Sequence, residues 1–569
     1  MLKKSLPGIA LLLLAALLLS TCKRKNDEYV EGRGIVSKNG MVVSAHPWAS
    51  RIGTETLMKG GNAFDAASAT AFALSVCYPT AGNLGGGSLV VLRDADGNYS
   101  TLDCREKAPA LATRDMYLDE SGNVTRGMST ATLAASAVPG SVAGILELHE
   151  EYGILPFEDI IQPSIDLARK GFPLTARQAA SLNRSRDRFI SRNDHPVPFV
   201  RDSLWAEGDT LVQEELAQTL ERIRDNGRDG FYAGTTADML IREMQKGNGF
   251  LSRSDLEDYR PVWREPVSGT YSGYKIISMP PPSSGGIAIL QLLKIMEQML
   301  PEQPVFHSPG EVHLITEAER RIYADRAYYM GDPDFVDIPL DELVSDEYLA
   351  ERMSDYDPLQ ASLSENISHG VIPAFESEET THFSVVDKDH NAVAFTTTLN
   401  SSYGNCIVVE GAGFLLNNEM DDFSSKPGYP NIYGLVGGEA NSIQGGKRML
   451  SSMTPTIVEK DKQLYMVLGS PGGSTIITSV FQTLLNVIDY GMNMQEAVDA
   501  TRFHHQWLPD LIYFEEGSAD SLLLKKMEEM GHNTRLRSPI GRVDAIRILP
   551  GGSMEAGADK RGDDTACGY

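Results

Sequence analysis

Residues 379–400 read ETTHFSVVDKDHNAVAFTTTLN, and this stretch is the most informative part of the sequence. Its first half alternates in a pattern typical of a β-strand, and the polar run 387–391 predicts a hairpin turn before a second strand at 392–398. Thr380 stands just before the first strand. If the chain were cut between Glu379 and Thr380, one residue would carry a hydroxyl nucleophile and a free α-amine that can act as its base.

The composition is typical of a large globular protein. The 569 residues are 42% hydrophobic and 22% charged, enough for one large domain or two closely packed ones. The formal net charge of −26 argues against a polyanionic partner, because nucleic-acid binding needs clustered lysine and arginine. We therefore expect no nucleic acid as a partner, whereas a small zwitterionic substrate remains open.

The N-terminal segment predicts export and a lipid anchor. Two lysines precede the apolar run 8–19, which is short for a membrane span and indicates a signal peptide over residues 1–21. The sequence before Cys22 resembles a bacterial lipobox, although a threonine replaces the usual small residue directly before the cysteine. Lipidation of Cys22, with residues 22–34 as a tether, would give a periplasmic protein held to a membrane by its lipid alone. Ordinary secretion is the alternative.

The remaining cysteines do not have the spacing of a zinc site. They are Cys77, Cys104, Cys406 and Cys567. We interpret them as small buried side chains, although an oxidising compartment would permit disulfides. A nucleophile and base that are both supplied by Thr380 would need no metal or organic cofactor. The pair His504 and His505 is interpreted as structural, with acid–base work or metal binding as the alternative.

Apolar periodicity and turn residues predict the other elements. Helices are predicted at 62–77, 136–150, 155–170, 211–225, 235–246 and 474–490 and from residue 287, and strands at 89–93, 455–459 and 464–468. The Ser/Glu-rich stretch 357–379 predicts an exposed linker that ends at the Glu379–Thr380 bond.

A glycine-rich turn and three charged residues indicate where a substrate would bind. Residues 469–474 read GSPGGS between a predicted strand and a predicted helix, where consecutive N–H groups can face an oxyanion. A phosphate-binding turn or a plain tight turn is the alternative, although the lysine of a P-loop is missing. Arg105 could clamp a carboxylate, and Glu419 with Asp422 could hold an ammonium group. Together the charges predict an amino-acid site.

These residues belong to runs that match a known family. The most specific are TTHFSVVD at 380–387, LLNNEMDDF at 415–423, LSSMTPT at 450–456, GSPGGS at 469–474 and RFHHQW at 502–507. The chain resembles a bacterial gamma-glutamyltransferase (glutathione hydrolase) over nearly everything after the signal segment. The resemblance implies the N-terminal nucleophile hydrolase fold, an α+β sandwich (αββα) in which helices flank two stacked antiparallel sheets. It also implies a precursor that cuts itself.

The resemblance assigns roles residue by residue. The nucleophile falls on Thr380, its supporting threonine on Thr398, and the oxyanion donors on Gly472 and Gly473. The substrate α-carboxylate would contact Arg105, Ser451 and Ser452, and its α-amine would contact Asn400, Glu419 and Asp422. Cleavage of the Glu379–Thr380 bond would give a large subunit, 35–379, and a small subunit, 380–569, which form one αββα heterodimer.

The segment 426–438 resembles a lid loop that some family members have, with Tyr433 as its gate. An ordinary surface loop is the alternative. Two positions depart from the family pattern: Cys104 replaces an aromatic residue beside Arg105, and Lys560 replaces a proline, which removes local stiffness.

The favoured interpretation is an enzyme that cleaves γ-glutamyl amides such as glutathione through an ester on Thr380. The glutamyl group then passes to water or to an amino-acid or dipeptide acceptor. A related acylase of the glutaryl or cephalosporin type would not need Glu419 and Asp422, because its substrates lack the α-amine. An uncleaved lipoprotein that binds peptides is a third hypothesis, and the complete set of Thr380, Thr398 and the two glycines argues against it.

Overall fold

The computed structural model describes residues 29–368, 380–431, 434–435, 437–537 and 539–569, and two large sheets organise them. The first sheet has the strand order Val30–Gly32, Thr565–Gly568, Gly40–Ser44, Thr381–Asp387, Ala392–Thr398, Gly87–Arg93, Tyr99–Cys104 and Val262–Arg264. The second has the order Val36–Ser37, Met554–Ala558, Asp544–Ile548, Gln463–Gly469, Thr456–Lys460, Tyr274–Ser278 and Val267–Tyr271. Neighbouring strands are antiparallel throughout both sheets.

Helices precede, connect and follow the strands. In chain order they are Pro47–Met58, Ala63–Cys77, Met128–Ala131, Ser141–Tyr152, Phe157–Lys170, Ala176–Arg192, Glu214–Asn226, Asp229–Tyr232, Gly234–Gln245, Arg253–Asp258, Gly285–Met299, Pro309–Tyr329, Leu340–Leu343, Asp346–Arg352, Thr475–Ile488, Met494–Asp499 and Ser521–Glu529. Two small sheets complete the described structure, one of Phe503–His504, Ile512–Glu515 and Thr534–Arg537, the other of Phe172–Pro173 and Thr210–Leu211.

The central hairpin shows how the layers are built. Successive side chains of a strand point to opposite faces. Accordingly, Phe383 and Val385 pack into an apolar cluster with the helix Ala63–Cys77, whereas Val386 packs into a second cluster with Met466 of the other sheet. The second cluster continues into helices beyond the seven-stranded sheet. The order helix, sheet, sheet, helix confirms the predicted αββα sandwich.

Most predicted elements lie within a few residues of the observed ones, and three predictions were wrong in part. The tether expected at 22–34 contains a strand, Val30–Gly32, which pairs with Thr565–Gly568 at the edge of the first sheet. The helix expected at 136–150 begins only at Ser141, because Pro139 and Gly140 precede it. The stretch 357–379 was expected to be exposed throughout, yet Ser364 and Ile367 are buried. Ser364 is held there because its N–H group donates to a carboxylate oxygen of Asp510 and its carbonyl accepts from the Trp507 indole.

Cys77, Cys104, Cys406 and Cys567 are buried free thiols, as interpreted from the sequence. Within the described ranges no helix is both long and apolar enough to span a bilayer. The predicted signal peptide and Cys22 lie outside those ranges.

Candidate active site

Thr380 lies at the start of a central strand of the eight-stranded sheet. Strand Thr381–Asp387 pairs with Ala392–Thr398 in a register that joins Thr381 to Thr397. One position earlier, the same register sets Thr380 opposite Thr398, where Cβ atoms in an antiparallel pair lie about 5 Å apart. Both threonines are buried. Glu379, on the other side of the predicted cleavage bond, lies outside the described residues.

Thr398 ends its strand in a tight turn that carries Asn400 into the site. The Thr398 hydroxyl accepts the Asn400 N–H group at 2.7 Å, and its carbonyl accepts from the Asn83 amide at 2.8 Å. Asn400 has a φ of 73°, a left-handed conformation that asparagine tolerates better than most residues. Its side-chain amide donates to the Asn418 carbonyl at 2.9 Å. The turn therefore fixes Asn400 beside the candidate nucleophile.

A buried cluster of charges lies next to this turn. Arg105 directly follows the strand Tyr99–Cys104, and its guanidinium donates to the Met449 and Leu450 carbonyls, both at 3.2 Å. The same group contacts Glu419 and, at 2.5 Å, Asp422. The residues predicted to hold a substrate carboxylate and a substrate ammonium group therefore form ion pairs with each other here.

Burial sets the proton affinity of the acidic residues in this cluster. It raises the pKa of Glu419 well above its ordinary value, an effect that the neighbouring Glu106 strengthens and Arg105 opposes. Burial likewise raises the pKa of Asp422, and it raises that of Glu106 to about 7 against the pull of Arg105. Three carboxyl groups, those of Glu106, Glu419 and Asp422, therefore surround the guanidinium of Arg105.

Ser451 and Ser452 lie in the loop before strand Thr456–Lys460 and line the small cavity with the cluster. The Ser451 hydroxyl accepts the Met453 N–H group at 3.1 Å. The Ser452 hydroxyl accepts a hydrogen bond at 3.0 Å from Arg326, which also donates to Ser284 at 2.8 Å. Arg326 was not among the residues predicted from the sequence, although it lines the same cavity. Burial lowers its pKa to about 10.

The glycine-rich turn joins strand Gln463–Gly469 to helix Thr475–Ile488. Gly472 has a φ of 133°, and a Cβ at this position would lie 2.4 Å from the Thr475 hydroxyl. Only glycine fits this conformation and this space. Gly473 also has a positive φ, of 54°. The turn brings unobstructed backbone close to Thr380, as an oxyanion site requires.

Two cavities meet at Thr380. The smaller has a volume of about 20 Å³, and nine of the ten predicted catalytic and substrate-binding residues line it: Thr380, Thr398, Gly473, Arg105, Asn400, Glu419, Asp422, Ser451 and Ser452. The tenth, Gly472, lines the larger cavity of about 510 Å³ together with Thr380. The fold thus brings together residues from widely separated parts of the chain.

The chain matches a known family over most of its length. The model of the family Gamma-glutamyltranspeptidase matches residues 49–569. The chain belongs to the gamma-glutamyltranspeptidase family. A relative in Escherichia coli (strain K12), the Glutathione hydrolase proenzyme, is 45% identical over 540 residues, which cover 94% of this chain and 92% of that protein.

Solved structures extend the comparison to acylases. Cephalosporin acylase from Bacillus halodurans has a TM-score of 0.83 and 25% identity, covering 96% of this chain and 99% of that one. A gamma-glutamyltranspeptidase structure from Helicobacter pylori has a TM-score of 0.55 and 41% identity, covering 57% of this chain and 94% of that one. The N-terminal nucleophile hydrolase fold implied by the sequence is thereby confirmed.

The loop that resembles the lid of some gamma-glutamyltranspeptidases touches the site. Tyr433, its predicted gate, lies outside the described residues. Within the described part of the loop, the Asn431 amide donates to Asp422 at 3.1 Å, and Leu435 lines the small cavity. The described part of the loop therefore contacts the small cavity.

The two histidines noted in the sequence, His504 and His505, are buried and hydrogen-bonded to neighbouring side chains. His504 bonds to Thr478 and Gln506, and burial lowers the pKa of His505 to about 4. Among the described residues, two groups have side chains close enough to share a metal ion, one around His313 and one around His195. Neither contains a residue of the predicted gamma-glutamyltranspeptidase site.

Proposed function

We propose that this member of the family is a self-processing γ-glutamyltransferase and glutathione hydrolase with Thr380 as its nucleophile. The observation that carries the proposal is the position of Thr380 between a small cavity with both charge signs and a larger cavity. A glutamyl head group would occupy the first, and the rest of the substrate would extend into the second.

Maturation would begin with attack of the Thr380 hydroxyl oxygen on the Glu379 carbonyl carbon. The C–N bond to Thr380 breaks, its nitrogen takes up the hydroxyl proton, and an ester replaces the peptide bond. Water then hydrolyses the ester, which leaves a carboxylate on Glu379 and restores the hydroxyl. The products are the proposed subunits 35–379 and 380–569, and the second begins with a nucleophile that carries its own base.

The glutamyl head group would bind by replacing the ion pairs of the unliganded site. A cavity of about 20 Å³ holds little more than a water molecule. The side chains of Arg105 and of the two acidic residues must therefore separate as the ligand enters. Its carboxylate would then pair with Arg105 and accept from Ser451 and Ser452, while its ammonium group would contact Glu419, Asp422 and Asn400.

Turnover would proceed in two steps, formation of an ester on Thr380 and its resolution. The α-amine of Thr380, with a pKa near 8 for such a group, accepts the hydroxyl proton as the oxygen attacks the γ-amide carbonyl carbon. The Gly472 and Gly473 N–H groups would stabilise the oxyanion, and the amide nitrogen leaves with the proton. Water resolves the resulting ester to glutamate, or an acceptor amine resolves it to a new γ-glutamyl amide. The proposed steps rely on the chain's own groups.

An acylase for glutaryl or cephalosporin side chains is the second candidate, favoured by the similarity to the Bacillus halodurans acylase. Such substrates lack the α-amine. The carboxylates of Glu419 and Asp422 beside Thr380 would then have no partner on the ligand, and this supports the γ-glutamyl proposal over the acylase.

Export with lipidation of Cys22 belongs to the same proposal and rests on the sequence alone. Metabolic labelling with a clickable palmitate analogue tests it. Label should enter the wild-type protein and be absent from Cys22→Ser. If the wild-type protein is not labelled, lipidation is refuted and ordinary secretion is the remaining alternative.

The proposed function is tested by processing and turnover together. The purified protein should give two bands on a denaturing gel, the smaller about a third of the 62.1 kDa chain and beginning with Thr380. It should release p-nitroaniline from γ-glutamyl-p-nitroanilide. Thr380→Ala should stay uncut and inactive, whereas Thr381→Val, which keeps the shape of the next side chain, should retain both properties. A wild-type chain that stays whole and releases no product would refute the proposal.

A further inference from the structure

The larger cavity at Thr380 has an unusual set of charges for so acidic a chain. With 77 acidic and 51 Lys and Arg residues in the sequence, unpaired basic side chains in one place are unexpected. The charged residues described in the lining are four arginines and one aspartate: Arg177, Arg184, Arg542, Arg561 and Asp563. The cavity is therefore locally cationic.

Two of these arginines already have acidic partners. Arg561 forms ion pairs with Glu515 and Asp559, and Arg542 lies 3.5 Å from Asp564. Their charge is compensated within the fold. They line the cavity, but they add little net charge to it.

Arg177 and Arg184 differ from that pair. Both lie on the helix Ala176–Arg192, both are exposed, and neither forms an ion pair with any described residue. The one hydrogen bond of Arg177 among described partners reaches the Lys560 carbonyl at 3.5 Å. Seven residues apart, they share one helix face at a separation of about 10 Å. Two uncompensated guanidinium groups therefore lie along a cavity that ends at the candidate nucleophile.

The chemistry of the proposed substrates fits this arrangement. When the glutamyl head fills the small cavity, the part of the substrate beyond the scissile amide must extend into the larger one. In glutathione-like amides that part is a peptide ending in a carboxylate, and amino-acid and dipeptide acceptors carry the same group. A guanidinium binds a carboxylate with two parallel hydrogen bonds.

We propose that Arg177 and Arg184 form a subsite for the C-terminal carboxylate of the leaving peptide and of the acceptor. The proposal rests on the proposed function and deepens it. The subsite would favour peptidyl and aminoacyl γ-glutamyl amides over those with an uncharged leaving group. Asp563, the described acidic residue of the lining, accepts from the Thr175 hydroxyl at 2.6 Å.

The test compares three substrates on Arg177→Gln, Arg184→Gln and the double variant. Glutathione has the carboxylate, glutathione with an amidated C-terminus lacks it, and γ-glutamyl-p-nitroanilide has an uncharged leaving group. In the double variant we expect kcat/KM for glutathione to fall about tenfold, to the level of the amide. The anilide should be hydrolysed at an unchanged rate. Arg186→Gln, on the same helix but away from the cavity, is the matched control and should match the wild type.

Ionic strength gives an independent readout. Raising the salt from about 20 mM to about 0.5 M should narrow the wild-type preference for glutathione over its amide, because exposed charges are screened. An equal loss on all three substrates, or an unchanged preference in the double variant, would overturn the subsite. A wild-type protein that fails on the anilide would instead overturn the proposed function, so the two failures are distinguishable.

Discussion

Arg105 and Asp422 lie 317 positions apart in the chain and form an ion pair, with 2.5 Å between the guanidinium Nη2 and the carboxylate Oδ2. The same guanidinium contacts Glu419. In the unliganded site a cation and two acidic groups are thus in direct contact in a buried setting. A zwitterionic glutamyl head offers a partner of opposite sign to each side. Binding would exchange one set of buried ion pairs for another and leave no buried charge without a partner.

Replacing Asp422 by asparagine keeps the side-chain shape and removes a negative charge. We expect KM for γ-glutamyl-p-nitroanilide to rise about 10- to 100-fold, because a hydrogen bond to a charged group contributes about 1.5–3 kcal/mol. Cleavage before Thr380 should continue, since it does not require the ammonium subsite. Steady-state kinetics and a denaturing gel measure the two effects.

Glutaryl-p-nitroanilide, which has no α-amine, is the control for Asp422→Asn. Its kcat/KM should stay within about twofold of the wild-type value, because the missing charge has no partner on this substrate. An equal loss on both anilides would mean that Asp422 supports the structure of the site and does not bind the ammonium group.

The turn at Gly472 should not tolerate a side chain. Its φ of 133° and the predicted contact of 2.4 Å with the Thr475 hydroxyl mean that Gly472→Ala must move the turn. A displaced oxyanion donor costs about 100- to 1,000-fold in kcat, and we expect a loss of this size on γ-glutamyl-p-nitroanilide. Gly310→Ala is the control, because an added Cβ there has no neighbour within 4 Å. Full activity in Gly472→Ala would argue against the turn as an oxyanion site.

The hairpin around Thr380 could be predicted because its pattern is local. Alternation with a period of two, a polar turn and a second alternating run indicate paired strands whatever surrounds them. The register then follows, and it sets Thr380 opposite Thr398. The charged cluster has no such local signature. Arg105 and Asp422 meet only through the tertiary fold, so their charges and the family resemblance suggested their roles, whereas their spacing in the sequence did not.

Helix Pro309–Tyr329 shows what periodicity misses. Charged residues are buried around it, among them Glu317, Arg320 and Arg321, each in an ion pair. A helix whose charged residues are not confined to one exposed face gives no amphipathic signal. It was absent from the elements predicted in the sequence, and so was Arg326, which lies near its end. Exposed Arg177 and Arg184 were missed for another reason, since nothing local distinguishes them from other surface arginines.

Arg326 should act as a positioning residue for Ser452. Its Nε and Nη2 atoms donate to Ser284 and Ser452, a geometry that a planar guanidinium spans and an ammonium group does not. Both Arg326→Gln and Arg326→Lys should raise KM for γ-glutamyl-p-nitroanilide about tenfold with a smaller change in kcat. A double-mutant cycle with Ser452→Ala measures the coupling. Strictly additive effects would show that the two residues act independently.

The buried Glu311 links stability to pH. Burial raises its pKa to about 7 from 4.5, partly opposed by the Tyr490 hydroxyl, which donates to it at 2.5 Å. Between these two pH values the folded state holds a proton that the unfolded state has lost. The free energy of unfolding therefore decreases as the pH rises from about 4.5 to 7, and the penalty is complete above 7.

Glu311→Gln should remove this dependence, because glutamine keeps the neutral shape at every pH. Relative to the parent, the variant should gain about 2.5 kcal/mol in free energy of unfolding between pH 5 and pH 8, at about 1.4 kcal/mol per pKa unit. Urea denaturation on the uncut Thr380→Ala chain measures it without subunit dissociation. Glu302→Gln, at an exposed position, controls for the loss of one charge. If the free energies of unfolding of the two variants change with pH in the same way, the protonation of Glu311 does not cause the pH dependence.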